Sequence, residues 1–467
     1  MPLLVEGPTL NPGNTTWLLV SSALVLLMTP GLAFFYGGLN RSKSVLNMMM
    51  MSFSSIGLIS VLWLIYGFSL SFGVNGDSGW NKFIGSFTQY TGDKTDVIYS
   101  ELWLGDITGV PTYVFMAFQM MFAIITVALI SGALSDRTKF AGWLVFATGW
   151  FTLVYVPVAH WVWGGGFIWS DFHALDFAGG TAVHINAGAA ALAVALVLGK
   201  RVGWPKESFK PHNVPFVALG AGLLWFGWFG FNAGSELAAD GTAAAAFVNT
   251  QVATAAALMG WILVEWIRDG KPTLVGASSG AVAGLVAITP ACGFISPFYA
   301  VVLGVVAGVV CSLAVALKYK FGFDDSLDVV AVHFIGGWIG SLSLGFFAND
   351  FINSWITDEK FLNANNGLLY GGGWTQLWNQ FRASGVVTVY SFAIAALLAL
   401  IIKVTIGFRV SPEAEVDGID VAEHAESAYD TTPGGGGSSA GAFALAGISP
   451  SGAPEKSAEA PAEKVAG

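Results

Sequence analysis

The sequence predicts an all-α polytopic membrane protein with eleven transmembrane helices: an inverted repeat of two five-helix halves, plus a peripheral eleventh helix. Three observations carry this expectation. Of the 467 residues, 54% are hydrophobic and only 11% are charged, with mean hydropathy +0.65, whereas soluble domains carry about 25% charged residues. Eleven apolar runs approach the length of about 20 residues that a helix needs to cross hydrocarbon. Finally, two histidines lie inside apolar runs in nearly the same local words, Ala182-Val183-His184-Ile185 and Ala331-Val332-His333-Phe334, one in each half.

The candidate spans centre on 15–38, 46–72, 109–134, 140–162, 177–199, 213–231, 243–266, 273–289, 297–319, 327–349 and 383–408, of which 213–231 and 273–289 are the shortest. The 59 glycines suit helices that approach closely in lipid. Pro30 breaks the first span, with a kink expected where neighbouring helices satisfy the freed carbonyls. Four regions follow: an outer N-terminal segment 1–14, the helical domain 15–408, a cytoplasmic charged tail 409–430 and a low-complexity end 431–467. Residues 1–14 hold Glu6 and no lysine or arginine, so no cleavable signal peptide is expected. The run beginning Pro433-Gly434-Gly435-Gly436-Gly437 has too little apolar surface to fold and is expected to be disordered.

Basic residues orient the bundle, because cytoplasmic loops are enriched in lysine and arginine. With the first loop inside, the inner segments hold fourteen of them and the outer segments only Lys82, Lys94, Lys360 and Arg382. The N-terminus is therefore expected outside and the tail in the cytoplasm. The net charge of −10 is concentrated in that tail, where ten acids and two lysines from Ser411 onward contribute −8. The remainder is almost neutral, which excludes nucleic-acid binding. Cys292 and Cys311 stand alone in apolar surroundings and read as buried thiols rather than a disulfide or metal site.

Five spans per half means that the second half starts on the opposite side, so the repeat is inverted. Such repeats place a substrate path at the midplane between the halves, and ionisable side chains at that depth are functional candidates. An aspartate precedes each histidine: Asp176 by eight residues and Asp328 by five. Two histidines fall short of the three protein ligands of a catalytic metal site, so neither metal, cofactor nor enzyme activity is expected. A secondary transporter for another small cation would need midplane carboxylates or unwound carbonyls, and neither is evident.

Longer motifs then carry a family resemblance. Phe118-Gln119-Met120-Met121-Phe122, His160 through Gly166, Asp176 through Asn186, Gly227 through Ser235, Phe247 through Thr250, Thr289 through Gly293, Asp328 through His333 and Gly407 through Val410 together resemble the ammonium transporter (Amt/Mep/Rh) family, Amt branch, bacterial type, over roughly 15–430. The resemblance implies a homotrimer in the lipid of the plasma membrane, each protomer with its own narrow pore for nitrogen uptake. It implies ammonium recruitment by Trp163, Ser235 and Phe118, a gate of Phe122 and Phe231, and a pore lined by the twin histidines His184 and His333. Asp176 would support the recruitment site, with Asp328 in a similar role near the inner end of span ten. Asp176 also reads as a helix N-cap or as a deprotonating base.

Elementary chemistry agrees with these assignments. An indole face attracts a cation by about 0.5–2 kcal/mol. A hydroxyl accepts a hydrogen bond from N–H, which potassium cannot offer. A bare cation costs far more than a neutral molecule to move through an apolar pore. The expectation is therefore that NH4+ is recruited outside and deprotonated, and that NH3 is conducted past two imidazoles; methylammonium would serve as an analogue. The imidazole pair can also relay a proton, leaving open whether transport is electrogenic. Gly418 through Tyr429 resemble the family's tail that docks a PII-type regulatory protein, though the chain departs from the family pattern after Asp430. An ammonium sensor that signals through its tail with little flux is the alternative.

Overall fold

A computed structural model describes residues 9–76, 78–94 and 101–429; the low-complexity end and most of the N-terminal segment lie outside the described residues. Ten helices there are long and apolar enough to cross a membrane: α1 Pro12–Leu39, α2 Val45–Phe72, α3 Thr112–Leu134, α4 Phe140–Phe172, α5 Gly180–Leu198, α6 Val214–Glu236, α7 Gly241–Asp269, α9 Pro297–Phe321, α10 Val330–Phe347 and α11 Thr375–Val404. The eighth expected span is α8, Leu274–Ile288, only 15 residues long. At 1.5 Å per residue that is about 22 Å of helix, short of the roughly 30 Å hydrocarbon core. The protein is a multi-pass membrane protein.

Polar residues punctuate these apolar runs where backbone N–H groups would otherwise lack partners. Asn11 accepts from the Asn14 amide at the start of α1, Asn213 from Phe216 at α6, Asp240 from Ala243 at α7 and Thr273 from Gly276 at α8. Two sequence expectations need correcting. Helix α1 runs without interruption through Pro30. The last helix begins at Thr375, not near 383, because the polar residues Gln376, Asn379 and Gln380 that read as loop are buried and hydrogen-bonded inside the bundle.

The two halves meet through equivalent helices. α1 lies along α6 and α5 along α10, as a two-fold relation between halves requires, while α11 packs outside on α5. Glycines permit these approaches: a Cβ at Gly220 of α6 would sit 2.2 Å from the Phe35 backbone nitrogen of α1, and one at Gly188 of α5 would sit 2.6 Å from the Phe334 backbone nitrogen of α10.

One end of the bundle is closed by buried charges. Arg201 pairs with Asp324 at 2.9 Å and with Asp136 at 3.1 Å, and Arg137 donates to Ser326 at 2.7 Å. Burial draws the Arg137 guanidinium down to about 10. Part of the basic excess read as a topology signal is therefore internal structure.

The tail adds α12 Pro412–Asp417 and α13 Ile419–His424. It is folded onto this end, with Glu415 and Asp420 buried. Asp420 accepts from the Leu46 and Asn47 amides at 3.0 and 2.8 Å, supplying the cap that α2 lacks locally. Glu423 accepts from the Phe140 amide at 2.8 Å, Glu415 from Val202 at 2.6 Å, and Arg409 pairs with Glu415 at 2.6 Å.

Candidate functional site

At the other end, a cavity of about 340 Å³ opens between the ends of α2, α3, α4 and α6. Its lining includes Trp163, Ser235, Phe122, Gln119, Asp176 and Glu236. The Trp163 indole donates to the Asp176 carbonyl at 2.9 Å, which fixes the ring. Ser235 donates to the Phe231 carbonyl at 2.8 Å, leaving its hydroxyl oxygen free to accept. Phe118 is not brought onto this lining. It is fully buried, 4.9 Å from Phe122 and edge-on, so it buttresses the floor.

The floor is aromatic. Phe122 and Phe231 stack with centroids 4.1 Å apart and planes at 23°, and the Trp163 ring stands edge-on 6.1 Å from Phe122. Below them comes His184, 6.2 Å from Phe231 and 5.5 Å from Trp228, then His333 at 5.3 Å. The two Nδ1 atoms are 3.3 Å apart, so one imidazole donates and the other accepts. Among the described residues, His184 Nε2 is buried without a hydrogen-bond partner. The space at the pair is about 10 Å³, lined by the histidines and by side chains such as Met28, Leu32, Ile125, Leu129, Leu224, Trp228 and Val282. That is about the lower limit for one water, with few polar partners to hold it.

The backbone positions each imidazole through matched local devices. Both histidines lie in stretches of π-helix, Gly180–Ile185 and Val330–Ile335, a form common at functional sites. Asp176 accepts four amide hydrogens, from Gly179 and Gly180 on one oxygen and Thr181 and Ala182 on the other, at 2.6–3.0 Å. Gly179 has φ +116°, a turn open to glycine. Burial, the largest influence, pushes the Asp176 carboxyl up from its ordinary value while the four amides pull it back.

Asp328 does not do for His333 what Asp176 does for His184. It turns to Lys318 at 2.6 Å. The counterpart is Asp325, which accepts from the Val329 and Val330 amides at 3.1 and 2.7 Å. It precedes His333 by eight residues, the spacing of Asp176 from His184, so the sequence held the signal. Sequence reasoning also missed Gln380, whose amide exchanges hydrogen bonds with the Leu175 backbone at 2.6 and 2.8 Å beside Asp176. Nothing in a glutamine of the polar stretch 376–382 marks that partner.

The remaining histidines stand elsewhere. His160 bridges the Ser71 and Asn81 carbonyls, His173 is a left-handed turn residue, and His212 and His424 belong to the tail interface.

A vestibule, an aromatic floor and a buried imidazole pair follow one another within the same chain, and a family model described as Ammonium Transporter Family matches residues 16–429. The chain belongs to the ammonium transporter family. It is 55% identical over 441 residues, 90% of each chain, to a Mycobacterium tuberculosis protein named Ammonium transporter. A Bacillus subtilis protein of the same name is 46% identical over 419 residues, 89% of this chain and 98% of that one. The crystal structure of Candida albicans Mep2 superimposes with TM-score 0.78 at 34% identity, covering 86% of this chain and 87% of that one. A solved structure named Sensor Amt Protein gives TM-score 0.78 at 27% identity, covering 88% of this chain and 98% of that one. The ammonium transporter family comprises transporters, not enzymes.

Proposed function

We propose that this member of the ammonium transporter family recruits NH4+ against Trp163 and Ser235, releases its proton to water in the vestibule at the Phe122–Phe231 pair, and passes NH3 by His184 and His333. The observation that carries this reading is the imidazole pair in a space of about 10 Å³ with an otherwise apolar lining. Charge cannot enter such a space cheaply, because desolvating a small ion costs several kcal/mol even after the protein relaxes. Ammonia keeps a donor and an acceptor without charge, and the unpartnered His184 Nε2 offers it a polar contact. Asp176 acts as a positioning residue, since both of its oxygens are already engaged by amides. The Nδ1–Nδ1 contact also supports a proton relay, which would make net transport electrogenic.

The protein works as a homotrimer in a plasma membrane with the vestibule outside, and the tail end is the surface a cytoplasmic PII-type protein would meet. The test uses the purified chain in liposomes, with ammonium-driven current and internal pH read together. The wild type is expected to respond to ammonium and not to potassium. The reading is abandoned if the His184→Ala, His333→Ala double variant keeps both flux and that discrimination. The folded tail, together with the likeness to a structure named Sensor Amt Protein, favours a second reading in which the chain reports ammonium through its tail. Methylammonium uptake by a chain truncated after Arg409 separates the two: undiminished uptake favours transport. Co-purification of a PII-type protein, lost on the same truncation, tests the partner.

A further inference from the structure

We infer that Glu236 forms a carboxyl subsite that binds monovalent cations in the vestibule and delivers them to Ser235. The inference rests on the ammonium-transport reading and deepens it. Glu236 follows Ser235 in the tight turn Gly234–Glu236 that ends α6. It is 4% exposed, and among the described residues no hydrogen bond reaches its carboxyl. Glu236 belongs to the wall between two cavities. One is the vestibule; the other, of about 380 Å³, is lined also by Asp240 and Asp350. Asn353 and Trp355 line both as well, so the two spaces adjoin.

The other two acids have local work. Asp240 caps α7 through the Ala243 amide at 3.0 Å, and Asp350 accepts from the Thr357 hydroxyl at 3.2 Å. Glu236 has none. Among the described residues neither cavity is lined by a lysine, arginine or histidine, so no protein cation faces the Glu236 carboxyl. A buried carboxyl without a partner takes up a proton unless a cation supplies the counter-charge, and a cation drawn from solvent is the counter-charge that both cavities admit. Clefts lined by one sign of charge raise the local counter-ion concentration and on-rate, more so at low ionic strength.

The test is the half-saturating methylammonium concentration of liposome currents for wild type, Glu236→Gln and Glu236→Asp across a series of ionic strengths. Glu236→Gln is expected to raise it roughly three- to tenfold at low salt, with the maximal current little changed. The gap should close as salt rises, and Glu236→Asp should recover most of the wild-type value. An unchanged half-saturation in Glu236→Gln overturns the subsite, as does a rise that is independent of salt, which would mark a lost contact rather than a lost charge. Size-exclusion elution and thermal unfolding in detergent check that each variant is folded. Wild-type liposomes without any ammonium-driven current would instead overturn the transport reading itself.

Discussion

Asp176 shows how one carboxylate is used twice over. Its four amide bonds replace the partners that the first turn of α5 lacks, and its own carbonyl holds the Trp163 indole over the floor. Asparagine keeps one acceptor and turns an NH2 toward amides that already donate. Asp176→Asn is therefore expected to lower stability by about 2–3 kcal/mol, read as an earlier unfolding midpoint in detergent, and to lower methylammonium flux. Full transport in this variant would remove Asp176 both from the support of the site and from any proton path. At this scale the sequence was partly readable. The histidines, Trp163, Ser235 and the two stacking phenylalanines all stand on one line from vestibule to imidazoles. Phe118 and Asp328 do not join it, because adjacency in a motif says nothing about which way a side chain turns.

Helix contact is governed by where a Cβ is missing. Gly188 lets α5 touch α10 just past the histidine on each, and an added methyl would sit 2.6 Å from the Phe334 Cβ and backbone nitrogen. Backbone cannot swing aside, so Gly188→Ala is expected to cost about 1–3 kcal/mol and to push the imidazoles apart. Gly222 on α6 is the control, since nothing lies within 4 Å of its Cβ position; alanine there should be neutral or slightly stabilising, by up to about 1 kcal/mol. Thermal unfolding and methylammonium flux measured on both variants check the difference. Equal losses at the two glycines would argue against close helix approach as the cause. Helix existence was legible from apolar run length for all eleven elements. The start of α11 was not, because Gln376 and Gln380 read as solvent-facing residues until their buried partners are known.

At the scale of the whole chain, the tail is tied into the end of the bundle opposite the vestibule. Asp420 caps α2, Glu423 caps α4, and His424 reaches Asn47 at 2.9 Å, so releasing the tail removes caps from two membrane helices. Burial lowers the His424 pKa from its usual 6.5, against the opposing pull of Asp420, Glu423 and Glu426. A group with a depressed cationic pKa binds fewer protons docked than free, so docking is stable above pH 6.5 and weakens as pH falls through the window below it. Burial raises Asp420 from 3.8, so it binds more protons docked than free; its contribution runs the opposite way, favouring docking on acidification near and above 3.8. Hydrogen exchange at the Leu46 and Asn47 amides should therefore quicken, relative to intrinsic rates, between pH 7.5 and about 5.5, and His424→Gln should flatten that response. Protection that does not change over this range would show that His424 carries none of the docking energy.

What could be read without coordinates was set by the solvent. Lipid demands long apolar helices with their polar groups satisfied, so the helical membrane class, the inverted halves and two out-of-place histidines follow from composition and order alone. Packing decided the rest: that Gln380 reaches the Leu175 backbone beside Asp176, that the acidic tail is a set of helix caps, and that Glu236, among the described residues, lines two cavities without a partner. Each of these depends on which side chains and amides meet across more than a hundred residues, or on where a turn points a carboxylate. Neither is encoded in local spacing.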